Sequence, residues 1–586
     1  MNDTPAIHTS AAGPAHPGDG VTDRWQCAAI RAPWLAGLSA LVLVIVVSGR
    51  PQGVHFYDQA VQSTALQQWL DGVAPNPNTL VRADPQDLTR DAREWLSWWP
   101  PSLQLLAAPL AMAGLSIGAA LRTIFAGALI AGAIGWMRWM APFRLPAPWI
   151  VILALSLPWL RHASENAFRY SAEILSFALA PWLLLLLQRT TTWIAQTSAL
   201  GRLALAGFAI GCSYAAKYSL FVALACAGLF VAWETRAHWL HGPRRGSARV
   251  NILVVGACAL VIPLGLRALN AASASSDPIS FQGDRAFDFV GLVFAIANPA
   301  LALADAQGPL FHAFVFPAVL LPPGVSQTLG GVTFIAWLAF PAGLLLAWLL
   351  ARFWRAPANR DDGAGRLAVA TLALNTAALF VLWQIAEVDH MARHVAPAAL
   401  AALPVALREG LDCWRTRAGW LRPVLAVAAI GFVAGPLAYG FVYVGAKVHS
   451  TPSDYRTGRS GLQLPAISRT DVPQAIAGAR RLVPPGSIWL IEDPEMALEV
   501  PGRFLLTYGD RSVGREMRRL ERGPWRQPDD LATSKPVTLA VLLERRSGDS
   551  ADLGSLRRLT DALPAAGGWQ RHDIPAASFV LWTGKL

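Results

Sequence analysis

Charged residues are scarce in this chain: Asp, Glu, Lys and Arg make up 15% of it, against about a quarter in a typical soluble protein. That excludes an ordinary water-soluble enzyme. Cysteine is scarce too, with Cys27, Cys212, Cys226, Cys258 and Cys413 and none beyond. No disulfide framework is implied, even for parts facing an oxidising compartment. The first 25 residues lack a basic segment directly before an apolar core, so the first apolar run is expected to be a retained anchor rather than a cleaved signal. The C-terminal region has neither a P-loop nor a dinucleotide fingerprint. The net charge of +11 does not point to nucleic acid, because the arginines sit in short loops between apolar runs, where membrane orientation explains them.

What the chain has is apolar length, 54% of its residues. A membrane helix needs about 20 such residues. Eleven spans are expected, near 32–49, 118–137, 146–160, 171–187, 203–216, 218–234, 250–269, 328–351, 367–386, 394–411 and 423–445. Two further stretches, 103–115 and 309–322, read as helices resting at the interface. Arginines then alternate consistently: Arg138 and Arg144, Arg189 and Arg202, Arg236 to Arg249, Arg352 to Arg366, and Arg408 to Arg422 all fall on one side. The positive-inside rule makes that side cytoplasmic. The expected organisation is a disordered cytoplasmic tail (1–30), a polytopic α-helical membrane domain (31–448) whose first outer loop is 50–117, and a soluble extracytoplasmic α/β domain (449–586). In that last domain strands are expected at 487–492, 502–507, 537–544 and 578–583, with helices at 514–523 and 553–563.

Titratable groups gather on the outer side. The first loop carries Asp58, Gln59 and Glu94, then Trp98-Trp99-Pro100-Pro101; later loops bring Glu165, Glu173, Lys217, Tyr218, Arg393 and His394. Each has a plain reading. Asp58 suits a solvated loop, Lys217 and Arg393 suit snorkelling anchors, and the tryptophans suit an aromatic belt. Glu173 opens an apolar run and needs a partner if buried.

Taken together, in order and sidedness, Asp58-Gln59, Trp99-Pro100-Pro101, Ala216-Lys217-Tyr218 and Arg393-His394-Val395-Ala396-Pro397 resemble the motifs of the GT-C superfamily of membrane glycosyltransferases. The similarity is to the branch holding the aminoarabinose transferase and protein O-mannosyltransferases, and it covers about residues 30–450. It implies a GT-C-like fold in a bacterial inner membrane. It also implies a polyprenyl-phosphate-sugar donor and a glycan, lipid or protein acceptor. Asp58 would be the general base, Lys217, Arg393 and His394 would hold the donor phosphate, and Trp98, Trp99 and Tyr218 would line a prenyl groove. Inversion at the anomeric carbon is implied. Gln59 departs from the usual acid pair, which makes Glu94, Glu165 and Glu173 candidates for the second acid. No cofactor is assigned, although oxygen ligands from Asp58 and Glu165 would suit a divalent metal. A lipid-linked-glycan polymerase or ligase, or a transporter or flippase, are the alternatives. A transporter would place charge at span centres, where this chain has little.

Overall fold

The computed structural model describes residues 19–48, 57–84, 87–96, 100–160, 163, 172–272, 289–304, 329–385, 392–416, 419, 422–426, 461–462, 472–491, 497–500, 502–506, 538–544, 569–574 and 579–585. Helices α1 (Asp19–Ser48), α4 (Ile117–Met140), α5 (Ala147–Ser156), α6 (Glu173–Trp193), α7 (Leu200–Ala216), α8 (Tyr218–Glu234), α10 (Arg245–Ala272), α12 (Leu329–Arg355), α13 (Gly363–Ile385) and α14 (Ala396–Thr416) coincide with ten of the eleven expected spans. The eleventh, 423–445, and the stretch 309–322 fall almost wholly outside the described residues. Among the described residues five helices are long and apolar enough to cross a membrane: Ile117–Phe143, Glu173–Trp193, Thr197–Ala216, Arg245–Ala272 and Gly363–Leu382. Shorter apolar helices run over Ile30–Val46, Ser102–Met112, Ala147–Trp159, Tyr218–Glu234 and Gly291–Leu303. The short helix α9 (Arg236–Leu240) joins α8 to α10.

The helices have two chemically distinct ends. At the arginine-rich end, Arg366 reaches Glu234 at 3.3 Å and Arg408 reaches Asp362 at 2.8 Å. Arg352 pairs with Glu409 at 3.6 Å and also with Asp412. At the other end lie the starts of α4, α6, α8 and α14, the ends of α1, α7 and α10, and the first loop.

Close helix approach depends on small residues. Gly207 and Gly211 on α7 face α10, where an added Cβ would lie 2.4 Å from the Val255 carbonyl oxygen or 2.8 Å from that of Ala259. Small residues four apart let two backbones meet this way inside a membrane. Gly207→Val is therefore expected to destabilise the protein by about 1–3 kcal/mol, the usual range for overpacking, measured as unfolding in detergent. An unchanged midpoint would mean that α7 and α10 separate without cost.

The first loop is structured, which its polar composition hides. Helix α2 (Tyr57–Leu70) is followed by strands β1 (Thr79–Asp84) and β2 (Asp87–Trp95), paired antiparallel. Gln68 on α2 grips β1 through both amide atoms: Nε2 donates to the Val81 carbonyl (2.6 Å), and Oε1 accepts from its N–H (2.8 Å). Trp95 Nε1 donates to Asn270 Oδ1 at 2.6 Å, tying the hairpin to the end of α10. Helix α3 (Ser102–Met112) follows Pro100-Pro101 and packs against α2, α4 and α7. Its 11 residues reach about 16 Å at 1.5 Å each, short of a 30 Å core. It begins at Ser102, one residue before the stretch 103–115 expected from sequence, with Pro101 at the N-cap. Helix α11 (Phe289–Ala304), packed on α12, was not expected; it lies in what the sequence reads as an outer loop.

The C-terminal region contains helix α15 (Val472–Leu482) and strands β3 (Ile488–Ile491), β4 (Phe504–Leu506), β5 (Thr538–Glu544), β6 (Trp569–Asp573) and β7 (Phe579–Lys585). They form one five-stranded sheet in the order β4-β3-β5-β7-β6. Strands β4, β3 and β5 run parallel and read as apolar blocks, as strands covered on both faces do. Four strands match expectation. Edge strand β6, sequence WQRHD, was missed because a largely exposed edge needs no apolar pattern. The expected helices at 514–523 and 553–563 lie outside the described residues. The sheet shares its core with the first loop. Val61 and Ala65 of α2 and Leu80 of β1 pack in one buried cluster with Trp489, Phe504, Ile574 and Leu581. Arg503 adds an ion pair to Asp91 of β2 at 2.7 Å.

Candidate active site

Helix α7 ends and α8 begins at one residue, Lys217, whose backbone is extended (φ −163°, ψ 129°). Its N–H still donates to the Ser213 carbonyl (2.8 Å), while its own carbonyl accepts from Leu220 and Phe221 N–H at 3.1 and 3.2 Å. The break turns the Lys217 side chain out of the helical path and toward the start of α6. There Lys217 Nζ donates to Glu173 Oε1 at 2.8 Å. Arg393, in the 3₁₀ turn Ala392–His394 that leads into α14, places Nη1 3.4 Å from the same oxygen. Glu173 is 4% exposed.

Three elements far apart in the chain thus bring Glu173, Lys217 and Arg393 together at the loop end of the bundle. Two cations on one carboxylate leave one unit of positive charge among the three. Lys217 and Arg393 retain side-chain exposures of 17% and 35%, so both can meet an incoming anion. The N-terminal end of α8 adds positive potential at Lys217. Tyr218, the first residue of α8, meets Tyr214 at 4.6 Å between ring centroids with the planes tilted by 44°, and Tyr214 meets Phe221 edge-on at 5.4 Å. These rings form an aromatic group next to Lys217 in the chain. His394 follows Arg393 in the same turn, half-buried.

The backbone of Asp58 falls in the first turn of α2, which packs on α3, which in turn packs on α7. The Asp58 side chain lies outside the described residues, as do Trp98, Trp99 and Glu165. Glu94 stands apart from the cluster, on β2, with Oε2 3.4 Å from Arg82 Nε across the hairpin. Among the described residues no three His, Cys, Asp or Glu side chains gather as metal ligands would.

Two polar side chains at this end were not singled out from sequence. Among the described residues, Gln104 on α3 is 2% exposed with both amide atoms unpartnered, and Ser176, one turn beyond Glu173, is 2% exposed with its hydroxyl unpartnered. Other buried hydroxyls bond back to helix carbonyls, as Ser213 does to Ile210 and Thr371 to Leu367. A single Gln in an apolar run carries no signal until its burial is known.

No protein-family model matches the chain, and no curated protein does. Two crystal structures of ArnT from Cupriavidus metallidurans are similar to it along most of its length. The form bound to undecaprenyl phosphate is 12% identical, with a TM-score of 0.45 over 94% of this chain and 97% of that one. The apo form is 13% identical, with a TM-score of 0.48 over 93% of this chain and 97% of that one.

Proposed function

We propose that this chain is a membrane glycosyltransferase that moves a hexose or pentose from a polyprenyl-phosphate donor to an envelope glycan, lipid or protein. The observation that carries the reading is the convergence of Lys217 and Arg393 on one point at the loop end of the bundle. A leaving phosphate gains charge as the sugar departs, and cations fixed in place stabilise that charge at no reorganisation cost. Arg393 offers a forked donor set and Lys217 a compact charge. Glu173 holds the two cations apart and in place, and trims the site to one net positive charge. His394 stands beside Arg393 as a further donor.

In the proposed step the acceptor oxygen attacks the anomeric carbon. Its proton passes to the Asp58 carboxylate. The bond from the anomeric carbon to the phosphate oxygen breaks, and its electron pair stays on the phosphate. One displacement inverts the anomeric centre. The aromatic group of Tyr214 and Tyr218 suits the first prenyl units. The chain lies in the bacterial inner membrane with the loop end outward. Residues 449–586 form an extracytoplasmic module built onto the first loop, which supports a role for that module in holding α2.

The test is made in the host. Envelope glycans are compared in cells carrying wild type, a deletion, or Lys217→Met at matched membrane levels. Loss of one sugar in both altered strains is expected, and that sugar names the donor. An unchanged glycan profile in the deletion strain would overturn the reading.

A further inference from the structure

Helix α3 opens in an unusual way. Its N-cap is Pro101, and no side chain caps it. The N–H groups of Ser102, Leu103 and Gln104 precede the first intrahelical bond, which Leu105 N–H makes to the Pro101 carbonyl (3.0 Å). Gln104 is the third helical residue. At that position Gln ordinarily turns back to bond the N-cap N–H, but a proline N-cap has no N–H to accept from or give. Helical side chains lean toward the helix N-terminus, so the Gln104 carboxamide lies over this same entrance. It is 2% exposed, and among the described residues neither Nε2 nor Oε1 has a partner. Buried amides are nearly always paired, and an unpaired one needs an explanation, such as a bound water, ion or ligand.

The chemistry of a ligand there follows from which atoms are unpaired. A phosphate or carboxylate supplies acceptors only; it would satisfy the N–H groups and Nε2 and leave Oε1 alone. A sugar hydroxyl both donates and accepts, and two neighbouring hydroxyls match a carboxamide and the backbone N–H groups beside it. Helix α3 packs against α2, which carries Asp58, and against α7, which runs into Lys217.

We propose that the entrance of α3, with Gln104 as its side-chain contact, grips hydroxyl groups of the donor sugar and so helps set sugar specificity. This rests on the glycosyltransferase reading and deepens it.

The test uses the full-length protein in lipid nanodiscs. Binding of bare polyprenyl phosphate is compared with binding of polyprenyl phosphates bearing glucose, galactose, mannose or arabinose. Wild type is expected to prefer at least one glycosylated lipid. Gln104→Leu, of similar volume, is expected to weaken that preferred lipid about tenfold and leave the bare lipid unchanged. The thermal midpoint of the unliganded variant should be equal or higher, because an unpaired buried amide is gone. Equal loss of both lipids together with a lowered midpoint would make Gln104 structural and overturn the proposal. So would an unaltered preference in Gln104→Leu, or a wild type that binds glycosylated and bare lipids alike. Lys217→Met separates the two ideas: if it binds bare lipid like wild type, the phosphate site itself is wrong, whatever Gln104 does.

Discussion

Lys217→Met is expected to lose both stability and turnover, and only the stability should return when Glu173→Gln is added. Removing Lys217 takes the 2.8 Å cation from the buried Glu173 carboxylate and leaves Arg393 at 3.4 Å. Breaking one arm of a buried pair costs about 3–5 kcal/mol; about 3 is expected here, because Arg393 stays and Lys217 is partly exposed. Gln at 173 removes the stranded charge, and replacing both members of a buried pair is often nearly neutral. Turnover behaves differently. If Lys217 stabilises the departing phosphate, its loss costs about 10²–10³ in rate, and neutralising Glu173 cannot restore a donor that is gone. Unfolding in detergent and release of polyprenyl phosphate are measured on the same preparations. A double variant that recovers both would make the ion pair architecture only.

How far the sequence could be read depended on which force built each element. The membrane helices were legible because each buries a long apolar run by itself, so the signal is local. The gathering of arginines at one end of the helices was legible, and the ion pairs of Arg366 with Glu234 and Arg408 with Asp362 sit together there. Helix α2 and the β1–β2 hairpin were not legible. Val61, Ala65 and Leu80 spend their apolar surface on a sheet more than 400 residues later in the chain, so no window of the first loop looks like a core. The charges of the hairpin, Arg82 and Glu94 among them, obscure the strand alternation while pairing across it. Lys217, Arg393 and Glu173 were each noticed, but with the cations and the acid in separate roles. Their shared geometry depends on the break at Lys217 and the turn at Arg393, which no spacing encodes. Gln104 needed burial and a proline N-cap to be noticed at all.

Asp58→Asn is expected to lower turnover by about 10²–10⁴-fold, the range ascribed to a positioned general base, while donor binding changes little. Asn keeps the size and hydrogen-bonding reach of Asp but cannot take the acceptor proton. Asp58 lies in the first turn of α2, whose far side is fixed by Gln68 to β1 and by Val61 and Ala65 to the C-terminal sheet. That support holds the backbone that carries Asp58. A carboxylate in a first helical turn also favours the helix, through the macrodipole, by about 0.3–1 kcal/mol, so the Asn variant loses little stability. Glu94→Gln is the control. Its carboxylate is 43% exposed and spent on Arg82, so its removal should leave rate and stability within the small range of a surface pair. Rates are read as sugar transfer at saturating donor. A Glu94→Gln deficit as large as that of Asp58→Asn would move the base to the hairpin. An Asp58→Asn enzyme with wild-type rate would remove α2 from the chemistry and leave the cation cluster to be explained without it.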